Sequence, residues 1–471
     1  MPRTKIVCTI GPASRSPEIL AELISVGMGV ARLNFSHGTH SEHAAVISDL
    51  RRLADELGRS VAILQDLGGP KIRVGPVAGG TAPLAPGSLF TLTSRLVPGD
   101  SREVSISYRD LPRAVRRGDT LLLGDGAIEL RVVRIAPRDI KCRVIIGGTL
   151  SSGKGINLPS RSLKLPGLTE KDEKDLDFGV RKKVDYIALS FVRSAKDIMR
   201  AKKLLAARKC DIPLIAKIEK HEALDNIDEI VPLVDAVMVA RGDLGVEIPL
   251  ESVPRIQKWL IHKSNAGGKP VITATQMLRS MVDSPRPTRA EVTDVANAVL
   301  DGTDAVMLSE ETAIGRYPVD SVKTMARIIE DAERAFPYRD WIRKWWGESG
   351  KSLSEAVAFS ACNLAEEIGA AAIISFTQSG LTARLVSKFR PARPILALTS
   401  LPKTFRHLSL VWGVTPVIVT GLKTTDDVID RAFEAARNSG LVKRGQKVVI
   451  TAGVPLGVPG KTNLIKAEVL R

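Results

Sequence analysis

Eight short, almost uninterrupted apolar runs constrain this chain more than any other feature. They are TKIVCTI (4–10), GVARLNFS (29–36), SVAILQDL (60–67), DYIALSFV (185–192), PLIAKIE (213–219), DAVMVARGD (235–243), KPVITATQM (269–277) and DAVMLSEET (304–312). Most lead into a helix-period stretch, such as SEHAAVISDLRRLADELG or SAKDIMRAKKLLAARK. Strands that are apolar on both faces and alternate with helices predict a parallel sheet covered on both sides. Eight such units predict an α/β fold of the (β/α)8 barrel type. The polar residues of these runs gather at their C-terminal ends: Arg32, Asn34 and Ser36; Asp66; Ser190 and Arg193; Lys217 and Glu219; Asp243; Thr275; Ser309, Glu310 and Glu311. Barrel active sites form at that end, and scattered polar residues have no other reason to share it.

Between the third and fourth runs lies an insertion far longer than a usual βα loop. It is rich in Gly and Pro (GPVAGGTAPLAPGS) and holds alternating strands such as SLFTLTS, EVSISY and IKCRVIIGG. That pattern predicts a small β-barrel, placed over the barrel mouth as a lid. After about residue 345 the rhythm resumes with AAIISFT, PILALTS, TPVIVT and KVVITAG, which predicts a doubly wound α/β domain of four or five parallel strands. The expected division is a catalytic barrel over 1–69 and 167–345, a lid over 70–166 and a C-terminal domain over 346–471. The join YRDWIRKWWGESGK carries three of the five tryptophans, as expected if the last domain packs on the barrel there.

Composition narrows the class. The net charge is +16, yet no tract of five basic residues occurs and only 4% of residues are aromatic. Stacking platforms for nucleic acid are therefore scarce, and the basic field suits small phosphorylated anions better. No stretch approaches the roughly 18 apolar residues of a membrane span, and the start lacks the pattern of a secretory signal. Four scattered cysteines form no CxxC, so reduced thiols in a cytoplasmic protein are expected.

The run DAVMVARGDLGVEIP suggests the chemistry. An apolar strand ends in Arg241-Gly242-Asp243, which holds a carboxylate at a strand mouth. Upstream, Lys217 and Glu219 share one strand face because they are two residues apart. Two carboxylates suit a hard divalent cation, and the lysine suits an anion beside it. A magnesium–phosphate site is the reading. A strand-end ion pair for Lys217 and Glu219, and a turn-forming role for Asp243, are the plain alternatives.

The longer motifs TKIVCTIGPAS, ARLNFSHG, GPKIR, GINLP, LTEKD, IAKIE, VMVARGDLGVEIP, ITATQML and PTRAEVTDVANAVLDGTDAVMLSEETAIGRYP together resemble the pyruvate kinase family, as does the C-terminal ITAGVPLGVPGKTN. The resemblance implies transfer of the phosphoryl group of phosphoenolpyruvate to ADP, giving pyruvate and ATP. By position it implies that Glu219 and Asp243 hold Mg²⁺ or Mn²⁺. The backbone of Arg241, Gly242 and Asp243 would cradle the substrate carboxylate. Lys217, Arg73 and Arg32 would meet the phosphoryl group. Thr275, with Ser309 nearby and a water relay, would help protonate the enolate. His37 and Lys154 match positions near the nucleotide. The stretch Thr377, Ser379, Gly380 and Thr382 resembles a loop for a phosphorylated effector, and a homotetramer is implied. Many members need K⁺ and read DTKGPEIRT where this chain has Asp66-Leu67-Gly68-Gly69-Pro70-Lys71-Ile72-Arg73-Val74. Asn34, Ser36 and Asp66 remain as the remnant of a monovalent-cation pocket, with Leu67 and Lys71 changed. The ammonium of Lys71 is expected in or beside that pocket, so that Mg²⁺ is needed and K⁺ is not.

Plain structural roles stay open at this stage for Thr275 as a strand residue, Arg73 as a hinge ion pair, His37 at a helix start and the 377–382 loop as a helix cap. Two other functions compete. One is a Mg²⁺-dependent lyase on the same barrel, which needs no nucleotide lid. The other is a basic RNA-binding protein without catalysis, against which the intact Lys217, Glu219, Asp243 and Thr275 argue.

Overall fold

Eight parallel strands close into a barrel in the computed structural model, which describes residues 2–159, 166–348, 352–420, 425–455 and 461–470. They are β1 (Lys5–Thr9), β2 (Met28–Asn34), β3 (Ala62–Asp66), β4 (Tyr186–Leu189), β5 (Leu214–Ile218), β6 (Ala236–Ala240), β7 (Val271–Ala274) and β8 (Ala305–Leu308). Each expected run contains one of them. β8 closes on β1 from Lys5↔Ala305 to Cys8↔Leu308.

Alternation along the strands decides what points where. Val7, Val30, Leu64, Ala188, Ile215, Met238, Ala274 and Met307 form one buried cluster inside the barrel. Their neighbours Ile6, Ala31, Ile63, Leu189, Ala216, Val239 and Leu308 pack with the surrounding helices. Two residues further along the interior rows lie Thr9, Arg32, Asp66, Ser190, Lys217 and Ser309. The functional layer is therefore the last turn of the interior pattern, where apolar residues give way to polar ones.

The opposite rim has its own device. Asp185, Asp235 and Asp304 each precede a strand, and each accepts the backbone N–H of a neighbouring strand: Ile63 at 2.7 Å, Leu214 at 2.9 Å and Val271 at 2.9 Å. Several surrounding helices start with reciprocal caps, Thr39 with Glu42, Thr169 with Asp172 and Thr288 with Glu291.

The insertion leaves after β3 and folds as a unit with its own core. Its seven-stranded sheet runs from Ile72–Arg73 through Gly155–Asn157, Thr120–Leu123, Ile128–Ile135, Asp139–Ile146 and Leu89–Thr93 to Glu103–Ser105. A bridge between Val74 and Ile106 brings the first and last strands together, which gives the sheet a barrel-like closure. The entry strand Ile72–Arg73 and the return strand Gly155–Asn157 pair with each other and form a double stalk.

The C-terminal sheet has the order Val414–Ile418, Ile395–Thr399, Ala372–Phe376, Lys447–Ala452, Leu464–Val469. Four strands are parallel as expected, and the edge strand Leu464–Val469 is antiparallel. Part of the ITAGVPLGVPGKTN motif, residues 456–460, lies outside the described residues. This domain packs on the N-terminal rim of the barrel. Arg406 meets Asp185 at 2.8 Å, and buried Arg390 meets Asp304 at 3.1 Å. In the join, Trp341 donates to the Lys388 carbonyl at 3.2 Å and Trp345 stacks on His262 of the barrel. Those two tryptophans thus do the expected packing; the side chain of Trp346 is outside the described residues.

Candidate active site

Lys217 Nζ sits at the centre of the polar layer. It lies 2.9 Å from Glu219 Oε1 and 3.2 Å from Asp66 Oδ1, and it donates to Ser190 Oγ at 2.7 Å. Burial alone would lower its pKa, but Asp66 and Glu219 outweigh burial and raise it, so the ammonium stays charged. Arg32 reaches Asp66 from β2 at 2.7 Å and donates to Thr9 Oγ1 at 2.9 Å. Burial would raise the Asp66 carboxyl, yet Lys217 and Arg32 together hold it below the usual range.

Glu219 is fully buried just beyond β5. Its Oε2 accepts the Phe191 N–H at 2.7 Å, while Oε1 meets only the Lys217 ammonium, as an ion pair at 2.9 Å. Burial first, and then the charge of Asp243, push its pKa up against the pull of Lys217. A buried carboxylate oxygen with an unused lone pair, facing a second carboxylate, has the donor chemistry of a hard-cation site. The residues present therefore fit a divalent ion.

The contacts of Arg241, Gly242, Asp243 and Lys71 go beyond the sequence reading. Asp243, expected at a strand mouth, lies just past β6, which ends at Ala240, in the first turn of the short helix Arg241–Glu247. Gly242 N–H is already donated to Thr275 Oγ1 at 2.8 Å. The Arg241 side chain points away to anchor the end of β7. It donates to the carbonyls of Ala274 at 3.2 Å and Thr275 at 2.6 Å, and pairs with Asp294 at 2.7 Å. Lys71 places its ammonium 2.9 Å from Asp243 and 3.3 Å from the lid's Asp125, while the oxygens of Asp66 are held by Arg32 and Lys217. Burial opposes its charge, and Asp243 and Asp125 restore it, with a net rise in pKa. Its stem crosses Gly155, where a Cβ would lie 2.5 Å from Lys71 Cε; only glycine leaves that lane open.

Thr275 is not an ordinary strand threonine. It has φ +72°, and Gln276 follows at φ +55°. A β-branched residue in that region is strained by about 1–3 kcal/mol, and such strain persists where the surroundings over-determine it. Ser309, at the end of β8, has a buried hydroxyl without a partner, and its N–H is held by buried Glu311 at 2.7 Å.

Arg73 on the entry stalk donates to the Gly153 carbonyl at 3.0 Å, and among the described residues it meets no carboxylate. Burial, then the charges of Arg73 and Arg32, lower the pKa of His37, so these three groups face one region. His37 precedes the helix His40–Glu56 rather than starting it. Lys154 is exposed on the lid beside the return stalk. Asn34 Oδ1 accepts the Ser36 N–H at 3.1 Å, and Leu67 is buried.

In the C-terminal domain, Gly380 caps the helix Leu381–Lys388 at φ +84° with no side-chain cap. Thr377 is buried, and the Thr382 hydroxyl is shared with Thr462 at 2.8 Å, which leaves Ser379 and the loop amides as the available groups.

The sequence reading missed the part played by Phe191, and it placed Ser190 and Glu311 at strand ends without giving either a contact. Ser190 and Lys217 lie on the interior rows, so the period-2 pattern carries a signal for Ser190. Phe191 acts through its backbone at φ +56°, which leaves no trace in composition.

The chain matches "Pyruvate kinase, barrel domain" over residues 1–322 and "Pyruvate kinase, alpha/beta domain" over residues 355–467. It is 50% identical to pyruvate kinase of Geobacillus stearothermophilus over 471 residues, covering 99% of this chain and 80% of that protein. It is also 50% identical to pyruvate kinase 2 of Synechocystis over 474 residues, covering 100% and 79%. The crystal structure of a pyruvate kinase from Cryptosporidium parvum superposes with a TM-score of 0.93 at 39% identity, covering 100% of this chain and 96% of that one. A (β/α)8 barrel with a cationic, carboxylate-lined mouth under an inserted β domain defines a phosphotransferase class. The chain belongs to the pyruvate kinase family.

The anchoring of Thr275 by Arg241 gives one expectation. Arg241→Lys replaces a planar fork of donors by a point charge. The strained turn should relax, and turnover should fall on the order of a hundredfold, the scale of a 1 Å misplacement. Unchanged steady-state turnover would show that Arg241 does not hold the catalytic geometry.

Proposed function

We propose that the strand-end site transfers the phosphoryl group of phosphoenolpyruvate to ADP, giving pyruvate and ATP in the last step of glycolysis. The observation that carries this is the charged Lys217 ammonium, buried between Asp66 and Glu219 within the mouth where Arg32 also lies. In the reaction the bond between phosphorus and the enol oxygen breaks. A bond forms between that phosphorus and a terminal oxygen of ADP, and the remaining enolate takes a proton on its terminal carbon.

In this reading Glu219 and Asp243 hold Mg²⁺ or Mn²⁺, which when bound screens the charge of the phosphoryl and carboxylate oxygens. Lys217 and Arg32 offset charge on the phosphoryl oxygens, and Arg73 enters from the stalk to the same group. The short helix Arg241–Glu247 fixes the substrate carboxylate near Gly242 and Asp243. The Thr275 hydroxyl already accepts from Gly242 and donates to the Ala274 carbonyl at 2.6 Å. It therefore orients the water that delivers the proton, with Ser309 nearby, rather than giving up its own. His37 and Lys154 flank the nucleotide, with His37 neutral.

The enzyme needs no K⁺ in this reading, because Lys71 brings a fixed cation to Asp243. The loop of Thr377, Ser379, Gly380 and Thr382 binds a phosphorylated effector, and the chain works as a cytoplasmic homotetramer. The family resemblance supports the assembly, and the exposed Ser379 beside the loop amides supports the effector reading. Sedimentation equilibrium tests the assembly.

Three measurements test the chemistry. Lys217→Met should lower turnover by several orders of magnitude with little change in phosphoenolpyruvate affinity, since the lost charge acts mainly in the transition state. A variant with parental turnover sinks the assignment. Activity at equal ionic strength should be the same with K⁺ as with a bulky organic cation, and Lys71→Glu should lose activity and regain part of it on adding K⁺. Strong K⁺ activation of the parent overturns that point. A sugar phosphate or AMP should shift the phosphoenolpyruvate saturation curve by about 1–3 kcal/mol of coupling, and Ser379→Asp should abolish the shift; a response that survives the substitution places the effector elsewhere.

A further inference from the structure

We infer that Glu247 is a positioning residue that couples the return stalk of the lid to both carboxylates of the divalent-cation site. The inference rests on the proposal that Glu219 and Asp243 hold that cation. The side chain of Glu247 is 0% exposed. Its Oε1 accepts from Lys220 Nζ at 2.6 Å and from Asn157 Nδ2 at 3.1 Å. The two partners belong to different domains. Lys220 directly follows Glu219. Asn157 ends the return strand Gly155–Asn157 of the lid. Glu247 itself lies one helical turn after Asp243 on the seven-residue helix Arg241–Glu247. The other stalk reaches the same helix through Lys71 and Asp243 at 2.9 Å. Both connections of the lid are thus pinned to one short helix, near its two ends, by two carboxylates.

Stability does not account for this arrangement. A buried ion pair contributes little net, and an apolar pair of the same volume would serve as well or better. Glu247 Oε2 and Asn157 Oδ1 also have no hydrogen-bond partners; His221 Nδ1 stands 3.6 Å from Oε2. A cleft lined in part by Pro70, Ile72, Asn157, Phe191 and Lys220 lies between the stalks and the barrel. The polar contacts at Glu247 are what fix the return stalk across that cleft. A movement of the lid must then pull on Glu247 and Lys220, and so on the spacing of Asp243 and Glu219. By linkage, a cation bound between those carboxylates restrains the lid.

The test uses the full chain and Mn²⁺ alone, without substrate. Mn²⁺ affinity is read by electron paramagnetic resonance, and lid motion by hydrogen exchange over residues 120–130 and 155–158. In the parent, Mn²⁺ should slow exchange of the lid. Glu247→Gln keeps the shape but loses the charge on Lys220; Mn²⁺ affinity should fall about tenfold, the scale of an outer-sphere partner, and the slowing should vanish. Asn157→Ala leaves the Lys220–Glu247 pair intact and cuts only the tie to the lid. The slowing should vanish here too, with a smaller loss of Mn²⁺ affinity. Parental Mn²⁺ affinity together with parental lid slowing in either variant overturns the inference. Asp243→Asn separates the premises: if it binds Mn²⁺ like the parent, the cation-site reading itself fails; if it loses Mn²⁺ while Glu247→Gln and Asn157→Ala behave as the parent, only the coupling fails.

Discussion

The site is organised around one buried ammonium group. Lys217 stands between Asp66 and Glu219, and Asp66 is shared with Arg32. Within this inner group two positive and two negative charges balance, which is what allows four ionised side chains to be buried together. An anion alone would leave an excess of negative charge, and a cation alone an excess of positive charge. A metal–anion pair disturbs the balance least. In the proposed reading this favours phosphorylated or carboxylated ligands that arrive with a divalent ion, to which Glu219 Oε1, met only by Lys217 at 2.9 Å, would turn.

Strain completes what charge begins. Phe191 lies two residues beyond β4 and the Thr275–Gln276 pair follows β7 immediately, and all three adopt left-handed backbone. None is glycine, so each costs energy that the surroundings must offset. At Phe191 the offset is the N–H bond to Glu219 at 2.7 Å. At Thr275 it is Arg241, whose fork takes two successive carbonyls, and Gly242, which donates to the hydroxyl. The strained turns and the carboxylates are thus cross-linked: one strand end cannot relax without releasing a group on the next.

The barrel was legible because its signal is long and repeated. Eight apolar runs with polar C-terminal ends leave one arrangement, and Lys217 and Glu219 share a face by period alone. What stayed hidden depends on contacts across the chain. Asp243 was legible as a carboxylate at a strand mouth but not as part of a helix, because Gly242 and Gly245 suppress the helical look of the segment. Arg241 read as a backbone contact for substrate, and nothing local shows that its side chain reaches Asp294 and two carbonyls at the end of β7. The antiparallel edge strand Leu464–Val469 was not among the four runs read for the last domain. Glu247 gave no signal, since its partners Lys220 and Asn157 are 27 and 90 residues away.

Lys71 brings its charge to the site from another wall than the sequence predicted. An ammonium was expected in or beside the pocket of Asn34, Ser36 and Asp66. In the structure the donors of that pocket are used internally: Asn34 Oδ1 holds the Ser36 N–H, Asp66 holds Arg32 and Lys217, and Leu67 offers no oxygen side chain. The charge of Lys71 instead reaches the far side of the site, at Asp243. The electrostatic consequence is the same in sign, because Coulomb attraction depends on distance to the developing charge and not on which wall supplies it. The mechanical consequence differs. A soluble ion exchanges with solvent and reports only its concentration, whereas Lys71 is carried on the entry stalk and also touches Asp125 of the lid. In the proposed K⁺-independent reading, a movement of the stalk would carry this charge with it, so that the monovalent charge would depend on lid position, which a free cation cannot do.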